Sequence, residues 1–177
     1  MDTLEKLKYP IGKFTLPQSV SNDNIETYIL TISEFPQRVE QGVKNLSPQE
    51  LNYKYRPEGW TILQVINHCV DSHNNSFIRF KLALTEENPT IKPYNETRWG
   101  ELPDSLMYPV EDSLVLLKSF HKRWVYLLKN LSKEDFKKTF FHPELSKKIR
   151  LDQNLSLYHW HCNHHLAHIV NAKKLKF

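Results

Sequence analysis

The sequence contains the stretch Tyr158-His159-Trp160-His161-Cys162-Asn163-His164-His165-Leu166-Ala167-His168-Ile169, which holds five of the 9 histidines in the chain. Histidine is the commonest neutral metal ligand, so a cluster this dense requires a physical explanation. Two pairs, His161 with His165 and His164 with His168, have the i, i+4 spacing that places both imidazoles on one helix face. Such pairs build many zinc sites, because their ring nitrogens can converge on one ion. A polar helix flanked by aromatic residues, without an ion, is the alternative interpretation.

The apolar residues around this stretch indicate which histidines face the interior of the protein. Projected at about 100° per residue, six residues define the buried direction of the helix: Leu151, Leu155, Tyr158, Cys162, Leu166 and Ile169. His165 falls inside that sector and His161 lies at its border, whereas His164 and His168 lie further toward solvent. The pattern therefore favours His161 and His165 as the ligand pair.

A third ligand must come from another segment, because a catalytic zinc site typically has three protein ligands and one open position. The long amphipathic helix predicted over residues 61–87 contains His68 and His73. His73 lies on the core face of this helix, where a hydrogen-bonded core histidine is the ordinary interpretation. His68 lies on the flank of that face and is able to face a neighbouring helix. Periodicity does not choose between the two, and His121, His142 and His159 have no partner at useful spacing.

The rest of the chain predicts an all-α fold. Helical apolar spacing over residues 23–45, 61–87, 111–131 and 152–174 predicts four long helices. Pro36 predicts a kink in the first of them, or its division into two shorter helices. Residues 139–143 and 148–151 predict a small β-hairpin before the last helix. These elements predict a four-helix bundle, a fold in which metal sites are commonly built from facing helices.

The length of 177 residues indicates one domain, residues 1–177, with an extended N-terminal arm over residues 1–21. The connection over residues 88–109 is long for a compact domain, and connections of this length are often lids or binding loops. Its aromatic residues, Tyr94 and Trp99, argue against disorder.

Composition excludes several classes of function. The net charge of +4 comes from basic residues spread along the chain, which argues against a nucleic-acid partner. No apolar run approaches the roughly 20 residues that span a bilayer, and the N-terminus lacks the pattern of a signal peptide, so we expect a cytoplasmic protein without a membrane partner. Cys69 and Cys162 are too few for a disulfide framework and are interpreted as small buried hydrophobes.

Several segments in order resemble the DinB/YfiT-like family of metal-binding four-helix bundles, in particular its YfiT branch of metal-dependent hydrolases. The resemblance covers nearly the whole chain and rests on these segments: Tyr9-Pro10-Ile11-Gly12, Tyr55-Arg56-Pro57-Glu58-Gly59-Trp60-Thr61, Asp71-Ser72-His73-Asn74-Asn75-Ser76-Phe77-Ile78-Arg79-Phe80-Lys81, Arg98-Trp99, His142-Pro143 and the histidine stretch. Each segment is a weak signal alone, but the set in this order is specific.

The resemblance implies a metal held by His68, His161 and His165. The choice of His68 over His73 comes from the resemblance alone, whereas the pair on the last helix agrees with the face argument. The family also implies a homodimer and an up-down-down-up bundle, whose long crossover would be residues 88–109. Some relatives resemble thiol S-transferases, which join a low-molecular-weight thiol of the bacillithiol kind to an electrophile.

Three neutral imidazoles leave a divalent ion its full charge, so that a water at the open position would ionise near neutral pH. We expect one ion per subunit, zinc first and nickel as an alternative, because three histidines suit several divalent metals. The candidate functions are hydrolysis, transfer of a thiol to an electrophile, and a non-enzymatic module that the metal stabilises. Four further residues are candidates for supporting the ligands or lining the pocket: Asp71, His73, Arg79 and His168. The sequence indicates no general base beyond metal-bound water.

Overall fold

The computed structural model describes residues 3–177 and shows an all-α fold with one small β-hairpin. The helices and strands are α1 (Thr3–Lys8), α2 (Asn22–Val43), α3 (Ile62–Thr85), α4 (Glu96–Trp99), α5 (Pro103–Met107), α6 (Val110–Lys129), β1 (Thr139–His142), β2 (Lys147–Arg150) and α7 (Leu151–Leu175). Short 3-10 helices lie at Glu50–Asn52 and Asp135–Lys137. The four long helices and the antiparallel hairpin confirm the predicted fold class.

Helices α3 and α7 run in opposite directions. Ser72 contacts Tyr158, with 3.1 Å between the hydroxyl oxygens, and the side chain of Asn154 donates to Ser76 over 2.8 Å. Residue numbers therefore increase along α3 while the numbers of the contacted residues on α7 decrease. This register brings the middle of α3 against the histidines of α7.

Helix α2 runs parallel to α7. Thr31 contacts His159, and eleven residues further along α2 the carbonyl of Gly42 accepts a hydrogen bond from Lys173. Both numbers increase together, which fixes the same direction for both helices. If α2 is taken as up, α7 is up and α3 is down.

Helix α6 runs parallel to α3, which completes an up-down-down-up bundle. Ser113 donates to Asn67 near the start of both helices, and His121 lies 2.7 Å from His73 further along. Two consecutive parallel helices require a connection that returns along the bundle, and residues 86–109 are that crossover. The crossover carries α4 and α5 and is tied to α3 by Gln64, which donates to the carbonyl of Gly100 over 2.7 Å.

Helix α3 begins with a capping box at Thr61. The hydroxyl of Thr61 accepts from the backbone N–H of Gln64, and the side chain of Gln64 accepts from the backbone N–H of Thr61. This reciprocal pair satisfies two of the N–H groups that a helix start leaves free. The cap fixes the register of α3 and thereby the positions of its histidines.

Helix α2 is one continuous helix through Pro36, so the division into two shorter helices is wrong. Proline has no N–H, so the carbonyl of Ile32, one turn earlier, lacks its usual partner within the helix. Nδ1 of His121 lies 2.7 Å from that carbonyl oxygen and replaces the missing donor. The side chain of a neighbouring helix therefore satisfies the group that the proline leaves free.

The N-terminal arm is not wholly extended as predicted, because Thr3–Lys8 forms α1. This helix is too short to show a hydrophobic period, which explains why the sequence pattern did not predict it. The rest of the arm contacts α7 at two positions, where the carbonyls of Gly12 and Pro17 accept from Trp160 and Gln153. The arm thus lies along the helix that carries the histidine stretch.

None of the helices in the described part of the chain combines the length and apolar character needed to cross a membrane.

Candidate metal centre

His68, His161 and His165 converge in the structure from α3 and α7. Each offers one ring nitrogen, and these three nitrogens all lie within 4.8 Å of one another. The Nε2 atoms of His68 and His161 are 3.2 Å apart. Two nitrogens bound to one tetrahedral zinc at 2.0–2.1 Å are separated by about 3.3 Å. The separation of the Nε2 atoms of His68 and His161 therefore fits binding to one shared divalent ion.

The three imidazoles are held in the neutral form that a metal requires. Burial first, and the nearby His164 second, lower the pKa of His68 to about 4. Burial first, and the neighbouring histidines second, hold the pKa values of His161 and His165 well below the usual range for histidine. At neutral pH each ring therefore keeps a lone pair for a ligand bond.

His73 does not join this group, although its helical face made it a candidate. Its side chain is 0% exposed and lies between His121, at 2.7 Å, and His161, at 2.9 Å. A second group of metal-binding atoms, from Cys69, His73 and His161, is also close in space. Burial raises the pKa of the Cys69 thiol, which keeps it protonated and unsuited to a metal. The 2.9 Å contact between His73 and His161 is instead a hydrogen bond.

The ligand group lies in the wall of a cavity of about 650 Å³, which we call the histidine cavity. It is lined by α3, α7, the N-terminal arm, the crossover and the hairpin, and its size is typical of a small-molecule site. Arg79 and His168, both predicted to line a pocket, are in its wall. Part of His161 is exposed to it, so a ligand in the cavity can reach the metal position.

The structure does not bring Asp71 to the metal ligands. Asp71 lines a separate cavity with Asp104 of the crossover. Burial and the charge of Asp104 raise the pKa of Asp71 to about 6. Although Asp71 is one turn from His68, it points toward the crossover, so we withdraw it as a partner for that imidazole.

Several polar atoms in the wall of the histidine cavity have no hydrogen-bond partner among residues 3–177. These buried atoms are Nε of Arg56, the hydroxyl of Tyr94, Nδ1 of His142 and Nδ1 of His164. Unsatisfied buried polar groups cost free energy, and their concentration here indicates a place for polar groups of a ligand. His142 and His164 were not predicted as pocket residues, because their positions depend on the hairpin and on the path of the arm.

His164 is oriented by stacking on Trp160, with ring centroids 4.2 Å apart. Sequence projection placed His164 toward solvent, but the side chain is 6% exposed. Tyr9 of the N-terminal arm covers it, with ring centroids 6.1 Å apart. The helical projection shows the faces of one helix but does not include an arm from a distant part of the chain.

The wall of the cavity also carries more basic than acidic side chains, since Glu96 and Glu144 are its two carboxylates against three basic groups. Arg56, Arg79 and Lys8 line it, and none of them has a carboxylate within ion-pair distance in the described part of the chain. Guanidinium groups bind carboxylate and phosphate oxygens in a paired geometry. The cavity therefore suits an anionic or strongly polar small molecule beside the histidines.

Together, the up-down-down-up bundle and the convergent histidines define a metal-binding four-helix bundle. Residues 31–169 match the family model of the DinB superfamily, and the chain belongs to that superfamily. Among solved structures it is similar to YfiT from Bacillus subtilis, with 42% sequence identity and a TM-score of 0.93 over 96% of this chain and 97% of that one. That protein is described as "a probable metal-dependent hydrolase with an unusual four-helix bundle topology".

Curated relatives extend over almost the same length. Proteins from Bacillus cereus (strain 03BB102) and Bacillus anthracis (strain A0248) are each 50% identical to this chain over 171 residues, covering 97% of this chain and 98% of the relative. Both carry the name "Putative metal-dependent hydrolase". The similarity spans the histidine stretch and α3, the two segments that supply the candidate ligands.

Proposed function

We propose that this protein is a metal-dependent hydrolase whose ion is held by His68, His161 and His165. The observation that carries this proposal is the convergence of three neutral imidazoles within 4.8 Å beside an open cavity. The relatives and YfiT support it, because their names describe the same class of activity. Three protein ligands leave one position open, as in catalytic zinc sites.

The donor set favours zinc, with nickel as the alternative, at one ion per chain. Three imidazoles without a carboxylate or thiolate suit several divalent first-row metals, and selectivity then depends on geometry and supply. When bound, the ion supplies Lewis-acid activation and a water that ionises near neutral pH. The side chains of the cavity would bind the substrate, orient it and exclude water.

The cavity side chains bind and orient the substrate. Arg79 and Arg56 attract an anionic group, and the free hydroxyl of Tyr94 donates a hydrogen bond to it. Tyr158 donates to the carbonyl of Ser72 over 2.8 Å, and this bond holds the Ser72 hydroxyl 3.5 Å from Nε2 of His161. The Ser72 hydroxyl is therefore placed to exchange a hydrogen bond with a substrate atom next to the ligands.

Activity assays test the hydrolase proposal. Purified protein, chelator-treated protein and zinc-reloaded protein are compared on panels of carboxylic esters, amides and phosphate esters. We expect turnover by the zinc-reloaded protein, loss after chelation, and loss in His161→Ala. His159→Ala is the matched control, because His159 is on the same helix but bonds to Thr31 and does not line the cavity. Equal turnover in the presence and absence of metal would contradict the proposal.

Thiol transfer is the second candidate, and the size and charge of the cavity favour it. A volume of about 650 Å³ with unpaired arginines accommodates an anionic thiol together with a small electrophile. A thiol close to the ion is deprotonated, and thiolate is the reactive form. Turnover of an electrophile that requires added low-molecular-weight thiol, with no ester or amide hydrolysis, selects this candidate over the first.

We also propose that the protein forms a homodimer through its crossover. Large apolar side chains are exposed on α5 and the first two turns of α6, where Met107 is 73% and Leu116 is 49% exposed. Leu102 and Leu106 of the crossover are 49% and 44% exposed. We call these four residues the crossover face. Several large exposed apolar side chains on neighbouring elements are typical of a protein interface.

A further inference from the structure

Two chains of hydrogen bonds lead from backbone carbonyls to the proposed metal ligands. The first begins at the carbonyl of Ile32, which Pro36 leaves without an intrahelical donor. Nδ1 of His121 lies 2.7 Å from this oxygen. A carbonyl oxygen only accepts, so the proton of the neutral His121 ring is on Nδ1, and Nε2 has the lone pair.

The positions of the protons on the next two rings follow in the same way. Nε2 of His121 lies 2.7 Å from Nδ1 of His73, so Nδ1 of His73 is the donor. Nε2 of His73 then accepts from Nδ1 of His161 over 2.9 Å. Since His161 carries its proton on Nδ1, its Nε2 has the lone pair. That Nε2 is the atom that lies 3.2 Å from Nε2 of His68.

The second chain begins at the carbonyl of Lys8, in the N-terminal arm. This oxygen accepts from Nε2 of His168 over 3.1 Å, so Nδ1 of His168 has the lone pair. Nδ1 of His168 lies 3.4 Å from Nδ1 of His165 and accepts from it. The proton of His165 is therefore on Nδ1, and its Nε2 is free.

We propose that His121, His73 and His168 are positioning residues, which hold the proton of His161 and of His165 on Nδ1 so that both rings present Nε2 to the metal. This inference rests on the proposed metal site and extends it to residues that do not touch the ion. It also gives Pro36 and the N-terminal arm a role, because Pro36 leaves the carbonyl of Ile32 free and the arm supplies the carbonyl of Lys8.

A fixed tautomer and ring orientation contribute to metal affinity. Ligating histidines commonly donate their second N–H to a carboxylate or carbonyl, and loss of that partner typically costs 10–100-fold in affinity. Here neutral histidines occupy the place of the carboxylate. A histidine both donates and accepts a hydrogen bond. Each chain of hydrogen bonds therefore needs a backbone carbonyl at its far end to fix which ring nitrogen donates at every step.

The wild-type protein tests the inference directly. Two-bond proton–nitrogen NMR spectra of histidine-labelled protein distinguish Nδ1–H from Nε2–H rings, in both zinc-loaded and metal-free samples. We expect His121, His73 and His161 to carry the proton on Nδ1, and His168 to carry it on Nε2. An Nε2–H signal from His73 or His121 overturns the first chain. This readout does not depend on activity, so it separates failure of the inference from failure of the proposed function.

Variants of His121 test the consequence for metal binding. His121→Leu removes both hydrogen bonds, and we expect zinc affinity, measured by competition with a chromophoric chelator, to fall about 10–100-fold. His121→Gln keeps a donor and an acceptor, and we expect it to retain most of the affinity. Trp124→Phe is the matched control, because Trp124 is 0% exposed and packs on both His73 and His121 without joining the chain. Wild-type affinity in His121→Leu, or an equal loss in Trp124→Phe, contradicts the inference.

Discussion

Nε2 of His68 and Nε2 of His161 lie 3.2 Å apart, although 93 positions separate the two residues in the sequence. The antiparallel register of α3 and α7 creates this approach, and the capping box at Thr61 sets where α3 begins. Two unprotonated nitrogens at this distance repel each other without a cation or a shared proton between them. The packing of α3 against α7 therefore brings together two of the three proposed metal ligands.

Stability should fall as pH decreases from neutral, because buried histidines remain neutral in the folded state. Burial lowers the pKa of His121 to about 4, whereas an unfolded histidine titrates near 6.5. Between pH 6.5 and about pH 4 the unfolded state binds a proton that the folded state does not. The free energy of unfolding is therefore at its full value above this window and decreases as pH falls through it. One such group contributes about 3 kcal/mol.

Urea denaturation of metal-free protein at pH 7.5, 6 and 5 measures this effect. We expect a steep loss of stability over the range and a smaller loss in His121→Gln, which has no titrating ring. Stability that is constant from pH 7.5 to pH 5 would show that the histidines do not remain neutral on folding.

Arg79→Gln should weaken activity toward anionic substrates more than toward neutral ones. The guanidinium lines the histidine cavity without an ion-pair partner among residues 3–177, and a hydrogen bond to a charged group contributes about 1.5–3 kcal/mol. We expect kcat/KM for anionic substrates to fall about 10–100-fold. Arg98→Gln is the control, because Arg98 is exposed in the crossover and outside the cavity wall. A uniform loss for both substrate classes would argue against a charge-recognition role.

Neither cysteine should react with an aromatic disulfide reagent in the native protein. Cys69 and Cys162 are 1% and 0% exposed, and burial raises both thiol pKa values, so thiolate is scarce and inaccessible. We expect reaction of both thiols only after denaturation in urea. Rapid reaction of one thiol in native protein would instead make it a candidate reactive group.

Met107→Asp should dissociate the proposed homodimer. A charge at Met107, which is 73% exposed on the crossover face, is costly to bury at an interface. Light scattering after size-exclusion chromatography should show twice the chain mass for wild type and the chain mass for the variant. Val170→Asp is the control, because Val170 is 60% exposed on α7, outside the crossover face. A monomeric wild type at all concentrations rules out this interface.

The helices and their bounds were predictable because apolar periodicity and caps are local signals. Each long helix begins and ends within two residues of the prediction, and the hairpin lies where strand-forming residues flank a turn. Helix α1 was missed since one and a half turns cannot show a period. Pro36 predicted a kink or a break, but α2 is continuous, because the donor from α6 that replaces the missing N–H depends on tertiary packing.

The candidate site was only partly predictable for the same physical reason. The spacing of His161 and His165 and their position on α7 identified that pair from one helix alone. The choice between His68 and His73 required the packing of three helices, since both lie on or beside the inner side of α3. The structure puts His68 at the cavity and His73 against His121. The signal that could have indicated His121 is Pro36, which frees a carbonyl for a buried donor.

The most direct test of the central claim is the metal content of purified protein and its variants by elemental analysis, with the coordinating atoms identified by X-ray absorption. We expect about one divalent ion per chain with three imidazole nitrogens, lost in His68→Ala and His161→Ala and retained in His159→Ala. Protein without stoichiometric metal after zinc loading, or a His161→Ala variant that binds as much as wild type, would contradict it.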